Sequence, residues 1–227
     1  MQFALSKIYA APMKYVFSIY LILSSTALFS QNSNLSISVV SPLALYSSEW
    51  NEAKYSKCNT AADASYLSDD EKNVIYILNL IRTDPELFAK TVLKKYPSRS
   101  GKDYLYDDAY YYQSLVNTLV KLEARALLYP DNLCFLSAQC HAKTSGARGY
   151  VGHDRKSKDC KTKQHYFGEC CDYGHSDPLE IVLSLLIDEG VPSLGHRNIC
   201  LGSYTRIGVS IQPHSKYGTN SVLDFYY

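Results

Sequence analysis

Apolar positions recur at helical spacing over most of the chain, and they alternate only near its end. After Ser68-Asp69-Asp70-Glu71, a helix-start signal, Val74, Ile77, Leu78 and Ile81 fall on one face of a helix. Thr83-Asp84-Pro85-Glu86 restarts helical structure, with Asp84 able to cap it, Pro85 suited to the first turn, and Leu87, Phe88 and Val92 as its apolar stripe. Leu115, Leu119 and Leu122 follow a tyrosine-rich stretch, Tyr104–Tyr112, that is read as a packed loop edge ahead of a binding surface. Pro130-Asp131-Asn132 opens a further helix with Leu133, Leu136 and Cys140 on one face, ending towards Gly146 and Gly149. Ser176-Asp177-Pro178 opens the last long one, carrying Ile181, Val182, Leu185 and Leu186 and stopped by Gly190 and Pro192. Residues 207–212 and 221–226 are β-rich runs around a 216–220 turn and predict an antiparallel hairpin. Helices preceding a terminal hairpin predict an α+β layered domain over residues 70–227.

The N-terminal stretch breaks this pattern. Lys14 precedes the uncharged, mostly apolar run Tyr15–Phe29, followed by small or polar residues, so residues 1–30 read as an export signal, with Met13 as a fitting start. Residues 31–69 are Ser/Asn-rich and read as an arm or linker, partly tied down at Trp50 and Cys58, with a sequon at Asn34. The expected destination is secreted or periplasmic, with no transmembrane segment once the signal is removed.

Export changes how the cysteines are read. All seven of them lie beyond residue 30 and would meet an oxidising compartment, where disulfides form and an odd count leaves a thiol over. Cys160 is expected to close a short loop with Cys170 or Cys171. No pair has the CxxC spacing of a thiolate zinc knuckle. Removal of residues 1–30 takes away Lys7 and Lys14 and no acid, leaving 21 basic against 22 acidic groups. That balance offers no electrostatic footprint for nucleic acid.

Four residues carry candidate chemistry. His153 in GYVGHDRK, Glu169 in FGECC and His196 in LGHRNIC each follow a glycine, and Asp188 ends the apolar run LLIDEG. Two imidazoles and two carboxylates suit a divalent ion such as zinc, and also acid–base work, with Glu169 or Asp188 as candidate general base. Asp188 and Glu189 fall in the expected last helical turn, where the macrodipole disfavours each acid by about 0.3–1 kcal/mol. A local rule broken in this way points to compensation by a bound cation or a protonated histidine. His165 is the competitor for the place of His153, Arg155 and Arg197 are alternative partners for Glu169, and His141, His175 and His214 are expected at the surface or in caps. The chain has no HExxH, no G-x-S-x-G and no phosphate-binding glycine loop.

The order of these pieces resembles the CAP superfamily of cysteine-rich secretory proteins, insect antigen 5 and plant pathogenesis-related proteins of group one. The resemblance covers residues 70–227. It rests on Asn79-Leu80-Ile81-Arg82, His141-Ala142, Gly152-His153, Gly168-Glu169, Gly195-His196-Arg197-Asn198 and Ile207-Gly208-Val209. It implies a three-layer α–β–α sandwich, with a small antiparallel sheet and the C-terminal hairpin, whose cleft carries His153, His196, Glu169 and Asp188. It also implies a domain that can bind zinc or another divalent cation together with a small hydrophobic or peptide ligand. Two departures stand out: Cys170-Cys171 follow Glu169 where the family has asparagine, and Leu185 occupies the place of a tryptophan found in many relatives. A metal-assisted hydrolase and a disulfide-braced interaction module are the competing expectations.

Overall fold

The computed structural model describes residues 40–106 and 109–227. The expected export signal and the first part of the arm lie outside the described residues. The helices are α1 (Asp69–Thr83), α2 (Pro85–Phe88), α3 (Lys94–Ser100), α4 (Tyr110–Leu119), α5 (Asn132–Arg148), α6 (Lys158–Thr162), α7 (Pro178–Ile187) and α8 (Gly195–Cys200). The strands are β1 (Tyr129–Pro130), β2 (Gly168–Tyr173), β3 (Arg206–His214) and β4 (Gly218–Tyr226), in the sheet order β1-β3-β4-β2. The architecture is thus mixed α and β around one four-stranded sheet. The expected hairpin is β3–β4, with His214 opposite Gly218. The sheet is mixed where an antiparallel one was expected, because β1 runs parallel to β3.

Helix starts follow local chemistry. Ser68 and Glu71 form a reciprocal capping box at α1, and Asp84, Asp131 and Asp177 accept backbone N–H groups at the starts of α2, α5 and α7. Between α2 and α3 the chain makes a π-helical turn, Ala89–Leu93. Pro97, inside α3, has no N–H for the Leu93 carbonyl four residues back, and Tyr112 Oη donates to that carbonyl at 2.5 Å instead.

Strand register divides the sheet into two faces. Glu169, Cys171, Val222, Asp224 and Gly208 fall on the face that meets α5, with Ala138, Ala142, Cys171 and Val222 as one buried cluster. Cys170, Ile207, Val209, Leu223 and Phe225 fall on the opposite face, in the main core with residues of α1 and α7. The helix α5 buries a different stripe from the one its leucines predicted. Leu133 and Leu136 are exposed, and Cys134, Ala138, His141, Ala142 and Ser145 are buried. The reason is close approach: a Cβ on Gly208 would lie 2.0 Å from Phe135 N, and one on Gly146 would lie 2.1 Å from the Pro213 carbonyl. Only small side chains fit between backbones that near.

The arm is also more firmly packed than its composition implied. Leu43, Trp50, Tyr55, Cys58, Ala61 and Leu67 are buried in the main core. Trp50 Nε1 donates to Thr91, and Tyr55 Oη to Asp84. Two residues of the first-helix motif do structural work here. Asn79 bonds the Cys58 and Leu128 carbonyls and the Leu128 N–H, while the buried Arg82 donates to the carbonyls of Ala126, Cys200, Gly202 and Tyr204. Among the described residues no helix is long and apolar enough to cross a membrane.

Candidate functional site

Helix α5 ends at Gly149 in a left-handed cap, and the loop that follows carries His153 back over the sheet. There His153 Nδ1 sits 2.9 Å from Glu169 Oε1, which β2 projects from the sheet face under α5. The second histidine arrives from the other side. His196 lies at the start of α8, with its Nδ1 2.7 Å from Asp188 Oδ1. The two imidazole rings are 6.1 Å apart, centroid to centroid. Residues far apart in sequence thus form two histidine–carboxylate pairs with neighbouring rings.

Asp188 resolves its own anomaly. Helix α7 ends at Ile187, one residue short of the expected last turn, and Asp188 is its C-cap in left-handed conformation (φ 57°). Its carboxylate reaches the start of α8, where Oδ2 accepts the His196 N–H at 2.9 Å. An acid misplaced on one helix is well placed at the N-terminus of the next. The compensation that the sequence called for is therefore His196 together with that helix start.

Glu169 is anchored more deeply. Its Oε2 pairs with Arg155, which also donates to Asp224 Oδ2 at 3.0 Å and to the Ser137 carbonyl at 2.8 Å. Ser137 Oγ donates to the same Asp224 oxygen at 2.6 Å. Burial pushes the Glu169 carboxyl up, but the His153 hydrogen bond and the Arg155 charge outweigh it and hold Glu169 below its ordinary value. The same hydrogen bond raises His153 against its desolvation. Burial, with Glu169 beside it, pushes Asp224 well above the usual carboxylate range. Arg155 was foreseen as a possible partner of Glu169. Asp224 was not, although an acid within the β-rich run Val222–Tyr226 was its sequence signal.

Of the remaining histidines, His141 departs from expectation, buried on the inward face of α5 rather than at the surface or in a cap. His214 is buried too, but it caps the β3–β4 turn, its Nδ1 accepting the Lys216 and Tyr217 N–H groups while Nε2 lies 3.2 Å from the Tyr150 carbonyl. His175 pairs with Asp172 at 3.0 Å. His165 stacks on Tyr226 at 4.3 Å and does not take the place of His153. The disulfide is Cys140–Cys160, joining α5 to α6, in place of the expected bond to Cys170 or Cys171. Consecutive strand residues point to opposite faces, so Cys170 faces the main core and Cys171 the α5 side. Cys58, Cys134, Cys170, Cys171 and Cys200 are free and buried.

Two adjoining cavities open onto the histidines. One, of about 420 Å³, is lined by Val151, His153, Cys171, Tyr173, His196 and Tyr217. The other, of about 360 Å³, shares Cys171, Tyr173 and His196 and continues past Asp188 to Tyr96, Lys102 and Glu180. At its far wall Glu180 accepts from Lys102 at 2.6 Å and from Tyr96 Oη at 2.7 Å. Burial raises the Glu180 carboxyl, but these two donors outweigh it and the net shift is downward. A carboxyl lowered in the folded state stabilises above its unfolded value, near pH 4.3, and that stabilisation is lost as pH falls through the folded value. Glu180→Gln is therefore expected to lower the melting temperature at neutral pH, with the gap to wild type closing below about pH 4. A gap independent of pH in thermal scans would refute the assignment.

Within this region one nitrogen of His141, a carboxylate oxygen of Glu169 and Cys171 Sγ lie within 4.8 Å of one another, a grouping that could hold a metal ion. Asp131, Cys134 and His165 form a second such grouping at the start of α5. No protein-family model matches the chain, and no match was found among curated proteins or solved structures.

Proposed function

We propose that the chain is an exported CAP-superfamily domain, a three-layer α–β–α sandwich. Its cleft binds a divalent cation such as zinc at His153 and His196, together with a small hydrophobic or peptide ligand. One observation carries this reading: the two imidazoles are neighbours, and each is held through Nδ1 by a buried carboxylate. A carboxylate that accepts the Nδ1 proton leaves the Nε2 lone pair free, which is how metal-binding histidines are fixed in tautomer and orientation. With metal–nitrogen bonds of about 2.0–2.1 Å, one ion can bridge rings at this separation. The donor set fits: two imidazoles held through Nδ1 suit zinc, and Glu169 and Asp188 act from behind them. A bound ion would supply a Lewis-acidic centre at the cleft wall. Helices on both faces of the sheet and the motif order of the sequence support the family assignment.

The hydrolase reading needs a carboxylate free to take a proton from water. Glu169 has one oxygen on His153 and the other on Arg155, and Asp188 has one on His196 Nδ1 and the other on the His196 N–H. Both acids are committed, which favours binding over catalysis. The ligand cavity combines Tyr96, Tyr104 and Leu183 with Lys102 and Glu180, surfaces suited to a side chain and a backbone amide alike. The test is calorimetric zinc titration of wild type against His153→Ala/His196→Ala. Loss of one zinc equivalent in the variant supports the proposal, and equal stoichiometry and affinity in both proteins overturn it.

A further inference from the structure

The grouping of His141, Glu169 and Cys171 lies beneath the cleft, on the α5 side of the sheet, and it differs from the two-histidine pair in containing a thiol. His141 is fully buried on α5. Its Nε2 lies 2.9 Å from the Gly152 carbonyl, so the ring donates there and the lone pair falls on Nδ1. That Nδ1 is buried without a hydrogen-bond partner. A buried acceptor left unpaired is costly, so the atom calls for an occupant.

A second polar atom nearby is also unpaired: Arg155 bridges Glu169 and Asp224 through one guanidinium nitrogen, and Asp224 Oδ1 is buried without a partner. Access exists, because Cys171 also lines both cavities and its Sγ lies 3.7 Å from His153 Nδ1.

We propose that His141 Nδ1, Cys171 Sγ and a Glu169 oxygen form a second, thiolate-containing metal site, with its fourth position open towards His153 and the cleft. Imidazole, thiolate and carboxylate together select zinc, or cobalt in its place, over magnesium or calcium. Tetrahedral bonds of about 2.0–2.3 Å require donors about 3.4–3.8 Å apart, so side-chain adjustment within a grouping that already lies inside 4.8 Å completes the set. On binding, the Cys171 S–H bond breaks, the sulfur–metal bond forms, and the proton leaves to water through the cleft. The His141 N–H to the Gly152 carbonyl is then the outer contact that orients the ligand. The metal would use the second lone pair of a Glu169 oxygen that already accepts one hydrogen bond, so the site shares Glu169 with the cleft pair, and it does not require His196.

Cobalt(II) absorption tests this on the full-length protein as purified, with its disulfide intact. A thiolate ligand gives an intense sulfur-to-cobalt charge-transfer band in the near ultraviolet, which nitrogen and oxygen ligands do not. The band is expected in wild type and in His196→Ala, absent in Cys171→Ser, and at least about tenfold harder to saturate in His141→Gln. Cys171→Ser keeps the side-chain size and carries the test should His141→Gln fail to fold, as judged by circular dichroism. A wild type without the band, a band undiminished in Cys171→Ser, or a band lost with His196→Ala overturns the proposal. A missing cobalt band together with loss of zinc in the double histidine variant would sink this site and leave the cleft reading standing.

Discussion

Gly208→Ala is expected to destabilise the protein by about 3 kcal/mol or more, at or above the top of the usual range for overpacking. The added Cβ would meet Phe135 N at 2.0 Å and the Cys134 carbonyl carbon at 2.2 Å, both backbone atoms of α5. No side chain can swing aside to make room, so the helix must lift from β3 or the strand must bend. At the scale of a domain this size, that loss corresponds to a fall in melting temperature of about 6–12 °C. Gly195→Ala is the control, since a Cβ there meets only Ser193 Oγ at 3.5 Å, and it should stay within about 0.5 kcal/mol of wild type. Thermal and denaturant unfolding of both variants check the pair, and equal stability of the two would contradict the close packing of α5 on the sheet. The comparison also separates two motif glycines: the one in Ile207-Gly208-Val209 is required by packing, and the one before His196 is not.

This helix shows how much was legible in the sequence. Local signals worked where the physics is local. Ser68 with Glu71, Asp84 with Pro85, and Asp177 with Pro178 marked helix starts that the structure places at those residues, and β-rich runs marked the hairpin. The buried face of α5 was missed because hydrophobic periodicity rewards large residues, whereas a helix lying directly on a strand buries small ones. Ala138, Ala142, Ser145 and Gly146 were the signal, and Leu133 and Leu136 drew attention to the wrong side. The same error placed His141 at the surface. The disulfide was missed for a related reason, since alternation along β2 takes Cys170 and Cys171 to opposite faces of the sheet, away from Cys160 on α6.

The candidate site was legible as a set of residues but not as an arrangement. His153, Glu169, Asp188 and His196 were picked out by their glycine neighbours and by an acid at a helix end. Their roles emerged only in three dimensions, where the acids stand behind the histidines rather than beside them. Arg155 and Asp224 complete the support for Glu169 through contacts remote in sequence, which no spacing rule encodes.

The second large effect concerns that arrangement. If the carboxylates orient the imidazoles, Asp188→Asn should weaken zinc binding about 10- to 100-fold without removing it, as expected for a group behind a ligand. Asparagine tolerates the left-handed conformation that position 188 adopts, so the variant should fold and isolate the electrostatic role. Removing the imidazoles themselves should be more severe, because it deletes the proposed metal ligands outright. A graded outcome, with Asp188→Asn weakened and His196→Ala weaker still, would distinguish orientation from direct ligation by the acid. If Asp188→Asn bound zinc no better than His196→Ala, the acid would be acting as a ligand.

The most direct measurement of the central claim is calorimetric zinc titration of wild type and His153→Ala/His196→Ala under identical conditions, with circular dichroism confirming the fold of each. The account predicts that the double variant binds one zinc fewer than wild type. Identical stoichiometry and affinity in the two proteins, including negligible heats in both, would contradict it.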